Sequence, residues 1–82
     1  MNTQDIFELV VRHTREVVPE LQAHSFQGGD RLDDLGANSV DRAEIIQLVL
    51  ESLALQIPRI EMFGPSSIGE LVELIHGKLR AG

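Results

Sequence analysis

Three stretches of this chain repeat apolar residues at the spacing of an α-helix, and that repetition constrains the fold more than any other feature. In the first, Ile6, Phe7, Val10, Val11, Thr14, Val17, Val18 and Leu21 recur on one side, while Glu8, Arg12, Arg15 and Glu16 take the other. Asn2 or Thr3 can cap this helix, Asp5 suits its positive N-terminal end, and Pro19 follows its last well-placed valines, so it should fade near Val18. The second runs from about Ser39 to Leu53. There Ile45, Ile46, Val49, Leu50 and Leu53 form an apolar stripe, and Asp41, Glu44, Gln47 and Glu51 gather opposite. The third opens with Ser67-Ile68-Gly69-Glu70, which has the S-x-x-E form of a capping box, and continues through Leu71, Val72, Leu74, Ile75 and Leu79. Gly69 and Gly77 should weaken it slightly.

Between these stripes the pattern breaks. Glu20 to Leu35 holds no periodicity and contains Gly28-Gly29-Asp30 and Asp33-Asp34, the composition of a long loop. A structureless loop of this length in a compact domain is usually either functional or a wrong assignment, and Phe26, Leu32 and Leu35, spaced to pin it across the helices, favour the first. Gln56-Ile57-Pro58 and Gly64-Pro65 leave room for only a short helix at Arg59 to Phe63. At 82 residues the chain reads as one domain, residues 1–82, and an antiparallel bundle is the simplest way to bury three stripes. The fold class is all-α: three main helices, one short helix and a long loop between the first two main helices.

Charge narrows the partners. Seven Lys and Arg against thirteen Asp and Glu give a net charge of −6, which repels phosphate backbones and anionic membrane and suits basic patches on other proteins. Neither nucleic acid nor membrane is expected as a partner. No apolar run approaches the length of a bilayer span, and the N-terminal MNTQDIFELVVRH lacks the plan of a signal peptide, so a cytoplasmic monomer is expected. With no cysteine, a thiolate metal site is excluded. His13, His24 and His76 are far apart and should be surface or half-buried side chains; no metal is expected. Gly28-Gly29 reads as a turn, Ser66 and Ser67 as helix caps, and Asp33-Asp34 as solvated charges that with Asp30 offer a cation only a weak site. No nucleophile, base and orienting group come together by spacing, so no catalytic residue is assigned.

Ser39 poses the functional question. It follows Gly36-Ala37-Asn38 at the start of the second helix, where Asn and Ser are both favoured caps and Asp41 completes a capping pair with Asn38. The first turn of a helix also offers free N–H groups and a positive dipole end, which would stabilise a phosphate ester on that hydroxyl. Local chemistry leaves both roles open.

The run Asp33-Asp34-Leu35-Gly36-Ala37-Asn38-Ser39-Val40-Asp41 resembles the modification site of acyl carrier proteins, L-G-x-[DN]-S-[LIV]-[DE], and the order of helices and the acidity extend the resemblance over the whole chain. It implies that Ser39 receives 4'-phosphopantetheine from coenzyme A and that the arm's thiol carries acyl groups as thioesters. Asn38 stands where most members have Asp, and Arg42 where many have Thr or an apolar residue. ANSVDRAEII with ESLALQIP is most similar to the freestanding carriers of polyketide β-branching cassettes, and the absence of tryptophan matches their acetyl-donor role rather than the acceptor role. The partners implied are a phosphopantetheinyl transferase, an acyltransferase, a decarboxylating ketosynthase-like enzyme and a hydroxymethylglutaryl (HMG) synthase-like enzyme. They would dock beside the arm, on Asn38, Val40, Asp41, Ala43, Glu44, Gln47 and Glu51, with Met62 and Phe63 adding an apolar patch. A carrier for another fatty-acid, polyketide or amino-acid pathway, or an unmodified helical interaction module, is the alternative.

Overall fold

A computed structural model describes residues 1–62, 64–65 and 67–81; Phe63 and Ser66, assigned above to the apolar patch and to a cap, lie outside the described residues. Four α-helices follow one another among the described residues: α1 (Thr3–Val17), α2 (Ser39–Leu53), α3 (Arg59–Met62) and α4 (Ile68–Ala81). Among the described residues there is no strand, and no helix is long and apolar enough to cross a membrane. The bounds of α2 are those the periodicity predicts, and a short α3 lies between the breaks at Pro58 and Gly64-Pro65, as expected.

α1 is the element on which the others assemble, packing against both α2 and α4, while α3 rests on α2. Its Ile6, Val10 and Thr14, each four residues apart, are completely buried, and the Thr14 hydroxyl donates to the Val10 carbonyl at 2.7 Å. A buried hydroxyl at this spacing satisfies itself within its own helix. Asn2 and Asp5 exchange hydrogen bonds of 2.9 and 3.3 Å in a capping box that starts α1. Ile45 and Val49 of α2 and Ile68 and Ile75 of α4 fill the core against it.

His13 departs from the expectation of a surface or half-buried ring. It is buried, with Nε2 2.9 Å from the Ser52 hydroxyl on α2 and Nδ1 3.1 Å from Glu16, and so ties the far end of α2 to α1. Nothing in a sequence separation of 39 residues announces that contact.

The long segment between α1 and α2 begins with a 3₁₀ turn at Pro19–Leu21 and then crosses the bundle as ordered loop. Leu32 belongs to the core, with Phe26 and Leu35 packed against it, as their spacing predicts. The strongest ties are made by its backbone. The Ile68 and Gly69 N–H groups donate to the carbonyls of Asp30 and Gly28, each at 2.8 Å, so the loop caps the N-terminus of α4. A Cβ on Gly69 would come within 2.9 Å of the Gly28 oxygen, so this glycine, read from sequence as a helix weakener, is what lets loop and helix meet. Asp30, Asp33 and Asp34 are not a cation site. Asp30 accepts from the Gln27 N–H at 2.8 Å and lies 3.0 Å from His24 Nε2, while Asp33 and Asp34 face Arg31.

Candidate functional site

The turn before α2 places its first residues. Gly36 adopts a left-handed φ of 98°, the Ala37 N–H donates to the Leu32 carbonyl at 3.0 Å, and buried Ala37 anchors the chain as it enters the helix. Asn38 then takes extended backbone and caps: its Oδ1 accepts from the Asp41 N–H at 2.8 Å, and the Asp41 carboxylate accepts from the Asn38 N–H at 3.3 Å. The cap is Asn38, so Ser39, the first residue inside the helix, has no capping duty and its side chain is exposed.

α2 and α4 start with the same chemistry but finish it differently. In α4 the first three N–H groups are all consumed, two by loop carbonyls and the third, Glu70, by the Ser67 hydroxyl at 3.2 Å. In α2 the third goes to Asn38 and the first helical bond is Arg42 N–H to the Asn38 carbonyl at 2.9 Å. The Ser39 and Val40 N–H groups are left to solvent among the described residues. A phosphoryl group joined to Ser39 therefore meets unspent donors and the positive end of a 15-residue helix.

From that mouth an exposed stripe descends α2. Val40, Glu44, Gln47 and Glu51 follow at steps of four, three and four, and all four are exposed. Asp41 and Ala43 flank it half-buried, Asp41 being held in the capping box. Val40 is 72% exposed, an apolar side chain beside the serine. Met62 is a correction: at 2% exposure it lies in the core and offers no docking surface. Its neighbour Ile60, which the sequence reading did not single out, is 83% exposed instead. On a helix two residues apart point in nearly opposite directions, so with one of the pair inward the other faces out; only the choice was hidden.

Upstream, Arg31 holds the Asp33 carboxyl below the usual carboxylate range, chiefly through a hydrogen bond, and Asp33 in turn raises the Arg31 guanidinium. The Gln27 N–H, with His24 second, lowers Asp30 in the same way. Local bonds in the loop before the serine thus favour the ionised form of Asp30 and Asp33.

Among the described residues, an exposed serine stands at an open helix mouth beside unspent N–H donors, an arrangement that suits a covalently attached phosphoryl group. Comparison with known proteins gives the family: the model of the phosphopantetheine attachment site matches residues 11–75, and the chain belongs to that family, as an acyl carrier protein. It is 52% identical over 81 residues to the polyketide biosynthesis acyl-carrier-protein AcpK of Bacillus subtilis (strain 168), covering 99% of both chains. Acyl carrier protein of Clostridium perfringens (strain SM101 / Type A) is 41% identical over 44 residues, 54% of this chain and 58% of that one. Among solved structures, a chain from the curacin biosynthetic pathway HMG synthase in complex with acetyl donor-ACP superposes with a TM-score of 0.87 at 44% identity, covering 92% of this chain and 96% of that one. The protein is a carrier and not an enzyme, and its prosthetic group is covalent phosphopantetheine.

Proposed function

We propose that residues 1–82 form a single carrier domain in which Ser39 bears the phosphopantetheine arm. The domain then delivers an acetyl unit, derived from a malonyl thioester, to an HMG-synthase-like enzyme in polyketide β-branching. The observation that carries this is the first turn of α2: an exposed hydroxyl relieved of capping by Asn38, beside two unpaired N–H groups. The whole-length likeness to a polyketide carrier and to a chain from an acetyl-donor complex supports the pathway.

In the loading step the Ser39 oxygen forms the new bond to the pantetheine-side phosphorus of coenzyme A, adenosine bisphosphate leaves, and the hydroxyl proton passes to the transferase. Once attached, the arm supplies a terminal thiol for the acyl thioester. The contribution of the chain is to hold the phosphodiester at the mouth of α2 and to present the stripe Val40, Glu44, Gln47 and Glu51 next to it. Tethering keeps cargo at high effective concentration for each docked enzyme. The same stripe would serve the phosphopantetheinyl transferase, acyltransferase and decarboxylating ketosynthase-like enzyme in turn, with the carrier acting as a cytoplasmic monomer.

Intact-protein mass after incubation with coenzyme A and a broad-specificity transferase tests the reading. Wild type should gain one phosphopantetheine and Ser39→Ala none. An unmodified wild type, or a modified alanine variant, overturns it.

A further inference from the structure

Arg42 lies three residues beyond Ser39 on α2 and lines a cavity of about 170 Å³ closed by the loop, α3 and the start of α4. The lining is apolar at Met62, Ile68 and Leu71 and charged at Arg31, Asp33 and Arg42. The two arginines are not equivalent. Arg31 donates to both oxygens of Asp33 at 3.3 Å and lies 3.8 Å from Asp34, so its charge is engaged. The Arg42 side chain makes no hydrogen bond or ion pair among the described residues; Asp33 attracts it without bonding it, and its Nε is shut away from solvent with no acceptor. A buried donor without a partner is uncommon in a folded protein and marks a place where an acceptor belongs.

We propose that this cavity receives the free carboxylate of a short dicarboxylic acyl group, of the malonyl class, with Arg42 as its partner. The inference rests on Ser39 carrying the arm. Residues three apart on a helix share a face, so Arg42 stands one turn from the attachment point and an arm folded back along the bundle would bring its acyl end to the cavity. At about 170 Å³ the cavity has room for a short acid such as a three-carbon one. A guanidinium meeting a carboxylate in a partly enclosed site makes a charge-assisted bond that an acetyl group cannot make. The cavity therefore holds the acidic cargo and releases it once the carboxylate is gone.

Wild type and Arg42→Gln are loaded from malonyl- and acetyl-coenzyme A, the mass of each product is confirmed, and nitrogen–proton NMR spectra are compared. The malonyl form of wild type should shift the Arg42 Nε–H resonance and the Met62, Ile68 and Leu71 amides relative to the acetyl form. In Arg42→Gln the two loaded forms should coincide at those amides. Coincident wild-type spectra overturn the inference while leaving the attachment at Ser39 intact, as do malonyl-specific shifts that persist in Arg42→Gln. If neither coenzyme A ester loads wild type, the attachment itself is removed, and the inference with it.

Discussion

Asn38 and Ser39 are adjacent, both belong to the residue types that start helices, and substitution should separate what each contributes. Removing the Asn38 side chain leaves the Asp41 N–H without its 2.8 Å acceptor. Asn38→Ala should therefore lose about 1 kcal/mol in urea unfolding. Ser39→Ala removes no hydrogen bond within the helix start and should stay within about 0.5 kcal/mol of wild type while losing the mass gain described above. If Ser39→Ala proves the more destabilising of the two, the division of roles at this helix start is wrong. At the other end of α2, Ala54 closes the helix in the left-handed conformation, φ 54°, with the Leu55 N–H donating back to the Leu50 carbonyl at 3.0 Å. Left-handed backbone disfavours any residue with a Cβ. Ala54→Gly should stabilise the protein, by about 0.5–1 kcal/mol once the greater freedom of glycine in the unfolded chain is counted, raising the urea midpoint without altering the slope.

Among the elements, the loop between α1 and α2 has the most to do, because it both caps α4 and sets the turn that leads into Ser39. Its geometry depends in part on Asp30, whose carboxyl is held low first by the Gln27 N–H and then by His24. A carboxyl depressed on folding contributes stability that is present above its unfolded value, near 4, and is lost as pH falls through the lower folded value. Amide exchange at Gln27 should thus accelerate on acidification relative to the intrinsic rate, and Asp30→Asn should flatten that dependence; an identical profile in the variant would exclude Asp30 as its source. The helices themselves were legible because a stripe such as Ile45, Ile46, Val49 and Leu50 reports its buried face through spacing alone. So was the anchoring of the loop by Leu32 and Phe26. Its docking on α4 was not, since the bonds from Ile68 and Gly69 run between backbone groups that every residue possesses. Met62 was misassigned because four residues are too few to show a period, and His13 because its partner Ser52 comes from a distant helix. At the site, Ser39 was visible through a local motif, whereas Ile60 became visible only once α3 had chosen its inward face.

For the molecule as a whole, the proposed role raises the question of how a chain of 82 residues would serve several enzymes in turn. A net charge of −6, with Glu44 and Glu51 on an exposed stripe that starts beside Ser39, favours fast encounter with basic surfaces. Among the described residues Val40 and Ile60 are exposed apolar side chains, and in the proposed docking role they would add a small contact that orients a partner. The two contributions respond differently to salt, because charges beyond about 10 Å are screened at 0.1 M ionic strength and apolar burial is not. Glu44→Lys combined with Glu51→Lys should therefore slow transfer to an HMG-synthase-like acceptor by tenfold or more at low salt, with the difference shrinking as salt is added and helical circular dichroism unchanged. Ile60→Ser should instead raise the dissociation rate by a similar factor at every salt concentration. Single-turnover transfer measured across a salt series distinguishes them. Equal rates for wild type and the double variant at low salt would mean that partners approach from another face. A defect of the same size at low and high salt would assign these glutamates to direct contacts within the docked complex rather than to steering.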